Sequence, residues 1–172
     1  MPIVHNQPEP LPRSEDVDAD VESVARTIAL RKLTAKACTR HELDQALQNK
    51  NVPPAAIDVV LDRLEEVGLV DDAAFAVGWV TSRQQRRHLS RRALRRELQA
   101  KGVESGEIDN ALDHVDLDAE LSAARDLVER KQAAMKGLSR DVQYRRLASV
   151  LSRRGFDTTI TTRVLADVLV GE

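Results

Sequence analysis

The chain has 172 residues, of which 42% are hydrophobic and 31% charged, and its formal net charge is −2. This composition suits one or two ordinary hydrophobic cores and excludes a membrane protein, since no segment approaches the roughly 18 consecutive apolar residues of a spanning helix. The N-terminus lacks the basic start and apolar centre of a secretory signal, so the expected location is the cytoplasm.

The N-terminal segment, residues 1–20, is predicted to be a disordered tail. It holds four of the six prolines and five acidic residues against one arginine, with few large apolar residues. Such a segment buries too little apolar surface to offset the entropy lost on ordering. From Val21 onward, apolar residues recur three and four positions apart, and only Pro53 and Pro54 interrupt the pattern. The rest of the chain is therefore predicted to be all-α.

An internal repeat organises the helical region, because residues 39–64 align without a gap on residues 90–115. The matching apolar positions are Leu43, Leu47, Val52, Ile57, Leu61 and Leu64 in the first copy, and Leu94, Leu98, Val103, Ile108, Leu112 and Val115 in the second. A looser third copy, after about four extra residues in the loop at 137–141, contains Leu147, Leu151 and Phe156. Beyond Phe156 its register is ambiguous.

A further amphipathic run precedes each copy, and these runs contain Ile28 and Trp79 in the first two units. Each unit is therefore predicted to have three helices. We expect repeat 1 over residues 21–70, repeat 2 over 71–116 and repeat 3 over 117–172. Three tandem three-helix repeats predict an elongated, solenoid-like body.

Signals for helix ends agree with this division. Thr39, with Glu42 three positions later, is a capping-box pattern. Either Asp71 or Asp72 is placed to cap the first helix of repeat 2. Gly102 lies where the end of a helix requires a left-handed residue.

The middle helix of repeat 2 is strongly basic. Residues 83–101 carry seven arginines and one lysine against Glu97 alone, whereas residues 103–120 hold seven acids and no lysine or arginine. Helical spacing places Leu94 and Leu98 on the core face and leaves the arginines around it. Like charges on consecutive turns repel each other, and a polyanion removes that cost. The stretch is predicted to bind nucleic acid or an acidic protein surface, with a plain solvated face as the alternative.

The candidate binding residues form two groups. In repeat 2 they are Arg83, Arg86, Arg87, Arg91, Arg92, Arg95, Arg96 and Lys101, and in repeat 3 they are Arg145, Arg146, Arg153 and Arg154, for which a solvated face is equally compatible. Arg92 and Arg96 are predicted to project away from the core, with Arg91 and Arg95 beside the apolar stripe. Because aromatic residues are scarce, contacts should be electrostatic rather than based on stacking.

No catalytic site and no metal site are expected. His5, His41, His88 and His114 are scattered without ligand spacing, and the sequence contains no glycine-rich phosphate loop or nucleophile motif. Cys38 is the single cysteine, which excludes a disulfide within the chain and a cysteine metal cluster. The sequence therefore predicts a binding protein without a cofactor rather than an enzyme.

Two stretches resemble the RecX regulatory proteins: GLVDDAAFAVGWVTSR at 68–83 and SRRALRRELQAKGV at 90–103. The shared pattern is a Gly-hydrophobic-Asp-Asp turn, a helix that opens with Phe-Ala, and an arginine-rich helix that ends in Lys-Gly-Val. The resemblance covers about residues 21–170. This chain departs from the family where His-Leu-Ser precedes the basic helix in place of a frequent glycine, and where Asn51 occupies the position that Gly102 has in repeat 2.

The resemblance implies three tandem three-helix repeats and a protein that docks on the RecA recombinase filament on single-stranded DNA. It also implies restraint of strand exchange, of ATP hydrolysis and of the coprotease function behind the SOS response, and so a role in homologous recombination and DNA repair. The implied partners are the RecA filament and the phosphates of single-stranded DNA, with duplex DNA as a second option. We expect a monomer with no membrane partner.

A different class of function also fits residues 39–70, namely the helix-turn-helix or winged-helix unit of a transcription regulator that reads duplex DNA. The internal repeat argues against a transcription regulator. A duplex reader needs one base-reading helix and usually a dimer, whereas here the scaffold recurs and the most basic helix lies in repeat 2. Specific duplex preference would favour the regulator, and tighter association with a RecA–DNA filament than with either component would favour the RecX interpretation.

Overall fold

The computed structural model describes the backbone of residues 14–170 and the side chains of residues 18–169. Within that range the chain forms nine α-helices and no strand. The helices are α1 (Ser14–Ala35), α2 (Arg40–Gln48), α3 (Pro54–Glu66), α4 (Asp72–Arg87), α5 (Arg91–Ala100), α6 (Ser105–Leu112), α7 (Leu117–Gln132), α8 (Arg140–Arg153) and α9 (Thr158–Val170). A short 3-10 turn, Ala133–Met135, follows α7. The prediction of an all-α fold is confirmed.

The predicted disordered tail, residues 1–20, lies mostly outside the described residues. Residues 14–20, which the prediction placed in the tail, belong to α1. Their acidic composition suggested disorder, but no proline follows Pro12 until Pro53. Once packing at Ala25 holds the helix in place, it extends towards the N-terminus with one hydrogen bond gained per residue.

Each set of three consecutive helices encloses its own hydrophobic core, and within each set every helix contacts the other two. The repeated positions are all at most 9% exposed: Leu43, Leu47, Val52, Ile57, Leu61 and Leu64 in repeat 1, Leu94, Leu98, Val103, Ile108, Leu112 and Val115 in repeat 2, and Leu147, Leu151 and Phe156 in repeat 3. The prediction of three three-helix repeats is confirmed.

Repeat 3 differs from the other two in its middle helix. Seven residues separate Arg140, where α8 begins, from Leu147, whereas three separate Arg91 from Leu94 in α5. The four extra residues therefore add one turn to α8, where the sequence had suggested a longer loop. In α9 the register is resolved by burial of Ile160, Val164, Leu165 and Leu169.

The predicted helix ends are present with their hydrogen bonds. The Thr39 side chain accepts from the Glu42 backbone N–H at 3.1 Å, and Glu42 accepts in return from the Thr39 N–H at 3.3 Å. Asp71, rather than Asp72, caps α4 and accepts from the Ala74 N–H at 2.8 Å. These contacts pair backbone donors that helix starts otherwise leave without a partner.

The chain divides into two compact units between Val70 and Asp71, and the second unit contains repeats 2 and 3. Within this unit the turn between α4 and α5 packs on repeat 3. The Ser90 N–H donates to the Arg154 carbonyl at 3.1 Å, and the Arg91 N–H donates to Glu120 Oε1 at 2.8 Å. Ser90 is 1% exposed, so these hydrogen bonds join the two repeats around a buried serine.

Gly155 is required at this junction. Its φ is +90°, and a Cβ added to it would lie 2.6 Å from Ser90 Oγ and 2.8 Å from Ala93 Cβ. Both distances are shorter than any ordinary contact, and left-handed backbone is costly for other residues. The same turn is left-handed in the other repeats, with φ of 58° at Asn51 and 75° at Gly102.

No helix within residues 14–170 combines the length and apolarity needed to cross a membrane.

Leu98→Ala should lower the free energy of unfolding by about 2–5 kcal/mol, because it removes a fully buried side chain and leaves a cavity. The exposed neighbour Gln99, changed to alanine, is the control and should alter stability by less than about 0.5 kcal/mol. Urea denaturation followed by circular dichroism measures both. Equal stability of the two variants would contradict the repeat core.

Gly155→Ala should cost about 2 kcal/mol or more, from the left-handed backbone and from the crowding against Ser90. Gly78→Ala is the matched control, since Gly78 lies within α4 and an added Cβ meets nothing within 4 Å. That substitution should stabilise the protein by about 0.5–1 kcal/mol. If thermal denaturation shows the same shift for both, Gly155 does not have the role assigned to it.

Candidate nucleic-acid interface

Helix α5 places its arginines according to the face that its leucines occupy. Leu94 and Leu98 are fully buried, and Arg92 and Arg96 are exposed on the opposite side of the helix. The helical spacing predicts this arrangement. Because Arg92 and Arg96 are one turn apart, their Cα atoms are separated by about 6 Å along the helix axis.

Four arginines of repeat 2 have exposed side chains without an ion pair or side-chain hydrogen bond to any described residue: Arg86, Arg87, Arg92 and Arg96. We call these four residues the exposed arginine surface. Arg86 and Arg87 lie in the last turn of α4, where the helix dipole favours positive charge. Arg92 and Arg96 have no such compensation, since they lie near the start and in the middle of α5.

Arg91 has a structural contact that the sequence analysis did not predict. Its Nη1 donates to the Val115 carbonyl at 3.0 Å and to the Leu112 carbonyl. Leu112 is the last residue of α6, and its carbonyl also accepts from the Val115 N–H at 2.9 Å, so Arg91 adds a charged donor at the end of this helix. The guanidinium is half-buried in this position.

In all three repeats, the arginine that begins the second helix contacts the end of the third helix, although the acceptors differ. Arg40 is the first residue of α2 and forms ion pairs with Asp62 at 2.7 Å and Glu65 at 2.6 Å, in the last turns of α3. Arg140 is the first residue of α8 and donates to the Leu169 carbonyl near the end of α9. The alignment of Arg40 on Arg91 in the ungapped repeat is the sequence signal that identifies this pair.

Arg83 and Lys101 contact Trp79. Arg83 Nε donates to Glu97 Oε2 at 2.9 Å, and its guanidinium carbon lies 3.9 Å from the centroid of the Trp79 ring. The Trp79 indole N–H donates to the same Glu97 oxygen at 2.8 Å, and Lys101 Nζ lies 4.3 Å from the ring centroid. Phe75 stacks on Trp79 with centroids 5.5 Å apart. Both rings are half-buried and pack against the core.

Arg95 forms an ion pair with Asp109 that connects α5 to α6. Together with Arg83, Arg91 and Lys101, it is held by contacts inside repeat 2. The acidic stretch at 103–120 therefore neutralises Arg95 through Asp109, as the solvated-face alternative requires, whereas Arg83 pairs with Glu97 of the basic segment itself. It does not reach the exposed arginine surface.

The basic residues of repeat 3 flank an open groove of about 560 Å³ along α8. Arg145, Arg146 and Arg153 line it together with apolar side chains that include Met135 and Val142. Arg153 donates to Ser149 Oγ at 2.6 Å. Arg154 is half-buried and lies apart from this groove lining, at the junction with repeat 2.

The structure thus divides the twelve predicted residues into seven exposed and five half-buried side chains. The exposed ones are suited to bind phosphate or carboxylate, because a guanidinium donates two parallel hydrogen bonds to either group. Among the described residues, no group of three or more His, Cys, Asp or Glu side chains is placed to hold a metal ion.

Models of the RecX family match most of the chain. The first three-helix domain of RecX matches residues 25–64, the second matches residues 71–112 and the third matches residues 118–165. These three segments follow the three sets of helices in the structure.

Proteins named Regulatory protein RecX are similar to the chain over most of its length. One from Streptomyces coelicolor is 48% identical over 148 residues, which cover 86% of this chain and 79% of that protein. One from Mycobacterium ulcerans is 45% identical over 152 residues, 88% of each chain. The crystal structure of RecX from Lactobacillus salivarius shares the fold, with a TM-score of 0.76 at 18% identity over 88% of this chain and 99% of that one.

Arg91→Ala should lower the free energy of unfolding by about 1.5–3 kcal/mol, because a charged donor to two half-buried carbonyls is lost. Arg92→Ala is the control and should change stability by less than about 0.5 kcal/mol. Chemical denaturation of both variants tests the division between structural and exposed arginines. Equal losses in the two variants would show that the division is wrong.

Proposed function

The chain belongs to the RecX family of regulatory proteins, and we propose that it binds the RecA filament on single-stranded DNA. Bound there, it inhibits strand exchange, ATP hydrolysis and the coprotease function. The proposed contacts are the exposed arginine surface of repeat 2 and the arginines that line the α8 groove of repeat 3.

The absence of acidic partners at the exposed arginine surface, among the described residues, is the observation that supports this proposal most. Acids are abundant in the neighbouring sequence, and Asp109 and Glu97 pair with other arginines. Four unpaired arginines on α4 and α5 repel one another, and a polyanion removes this repulsion. DNA phosphates, or an acidic surface on RecA, supply that charge.

The alternative of a duplex-reading transcription regulator is less consistent with repeat 1. In a helix-turn-helix unit formed by residues 39–70, α3 would be the helix that enters the major groove. That helix carries four acids against one arginine, Arg63, and phosphates on both sides of the groove would repel it. We therefore favour regulation of RecA.

Inhibition is proposed to follow from restraint of the filament. A protein held by arginines on two repeats opposes the subunit rearrangements and the strand access that exchange requires. Because one bound molecule affects neighbouring RecA subunits, inhibition should occur at well below one copy per RecA.

Arg92→Glu combined with Arg96→Glu should relieve inhibition while leaving the fold intact. The wild-type chain, titrated into preformed RecA filaments on single-stranded DNA, should lower the rate of ATP hydrolysis. The double variant should require at least about tenfold more protein, since each charge-assisted hydrogen bond contributes about 1.5–3 kcal/mol.

Arg26→Glu combined with Arg31→Glu is the matched control, because it makes the same change of charge at two exposed positions of α1. This variant should inhibit like the wild type. If both double variants inhibit equally, the exposed arginine surface is not the contact. Preferential binding to one duplex sequence, with no effect on RecA, would instead support the transcription regulator.

A further inference from the structure

Three basic residues that end different helices lie at or near the junction of repeats 2 and 3, where the Arg154 carbonyl accepts from the Ser90 N–H. His88 is the residue that ends α4, Arg130 lies in the last turn of α7, and Arg154 ends α8. Arg130 Nη1 lies 2.9 Å from His88 Nε2. The charges of Arg130 and Arg154 both act on the His88 imidazole.

The two arginines are not neutralised at this point. Neither Arg130 nor Arg154 forms an ion pair with a carboxylate among the described residues. Asp126, one turn before Arg130 on α7, is the acid whose charge acts on His88. The negative ends of three helix dipoles favour a positive residue at each helix end, but they do not require Arg130 to contact His88.

The hydrogen bond between Arg130 and His88 requires a neutral imidazole. A guanidinium only donates hydrogen bonds, so His88 Nε2 accepts from Arg130 and carries no proton. Burial, together with the charges of Arg130 and Arg154, lowers the pKa of His88, against an opposite effect from Asp126. The positive charges of Arg130 and Arg154 therefore favour the neutral form of the imidazole.

His88 ends α4 with left-handed backbone. Its φ is +48°, a conformation that is frequent just after a helix and that histidine adopts more often than most non-glycine residues. The next two residues, Leu89 and Ser90, are buried, and Ser90 is hydrogen-bonded to Arg154. The chain that follows His88 is therefore anchored in the junction with repeat 3.

We propose that His88, Arg130 and Arg154 form a binding site for one phosphodiester group of a nucleic-acid backbone. This inference rests on the proposed contact with DNA. A phosphate between Arg130 and Arg154 accepts hydrogen bonds from both guanidinium groups, and Arg130 then leaves the imidazole. The freed Nε2 takes one proton from solvent and donates it in a hydrogen bond to a phosphate oxygen.

The proposal predicts proton uptake on binding. His88 is neutral when free and protonated when the phosphate is bound, so its pKa is higher in the complex. Affinity therefore increases as pH falls through the interval between the two pKa values, and it is lowest above the pKa of the complex. Asp126 favours protonation in both states and does not change this sign.

Proton NMR of the His88 ring tests the site directly. The pH titration is recorded for the free full-length protein and for the protein saturated with a 30-nucleotide oligothymidylate. The midpoint should move to higher pH in the complex, and an unchanged midpoint would overturn the proposal. Inorganic phosphate is the second probe: a shift with phosphate but none with the oligonucleotide would overturn the assignment to nucleic acid.

Variants separate this site from other titrating groups. Binding of the same oligonucleotide is measured by fluorescence anisotropy at pH 6 and pH 8. The gain in affinity from pH 8 to pH 6 should be about three- to tenfold larger for the wild type than for His88→Gln. His114→Gln is the matched control, since His114 is exposed in the same unit, and it should keep the wild-type pH dependence. If His88→Gln keeps it as well, the proposal fails.

Arg130→Gln and Arg154→Gln should each weaken binding by about tenfold at pH 6, with thermal unfolding as the check that the fold persists. Unchanged affinity in both would count against the site. If the protein inhibits RecA but the His88 midpoint does not shift, the phosphate site is wrong and the proposed regulation of RecA still stands. If the His88 midpoint shifts but the protein has no effect on RecA, the proposed regulation is wrong and the phosphate site still stands.

Discussion

Burial of two leucines one turn apart on each middle helix is the constraint from which the rest of the fold follows. These pairs are Leu43 and Leu47, Leu94 and Leu98, and Leu147 and Leu151, all fully buried. When one face of a helix is fixed against the core, helical geometry sets the direction of every other side chain on it. In α5, burial of Leu94 and Leu98 therefore places Arg92 and Arg96 on the solvent side of the helix, despite the repulsion between their charges.

Arginine has two roles in this chain, a structural one at Arg91 and an exposed one at the next residue, Arg92. Arg91 begins α5 and reaches the carbonyls at the end of α6, as Arg40 and Arg140 reach the ends of α3 and α9 in the other repeats. The contact joins the second and third helices of each repeat. Arg92, rotated by about 100°, has no described partner and remains available to an anion.

The junction between repeats 2 and 3 gives the second unit a fixed geometry. Ser90 and Gly155 approach so closely that no side chain fits between them, and the backbone hydrogen bond from Ser90 to Arg154 holds the two turns together. Charges on α4 and α5 are therefore in a set relation to charges on α7 and α8. The backbone that carries these charges is therefore already ordered before binding, which lowers the conformational entropy lost in a complex.

The helical class, the three repeats, the buried leucines and helix ends such as Thr39 and Gly102 follow from the amino-acid sequence alone, because these features depend on residues close together along the chain. The sequence also located the basic helix and the outward direction of Arg92. The structural role of Arg91 and the contact of His88 with Arg130 of repeat 3 became visible only in the folded chain. The reason is physical: periodicity gives the direction of a side chain from its helix axis, whereas a hydrogen bond depends on which distant groups packing brings within about 3 Å.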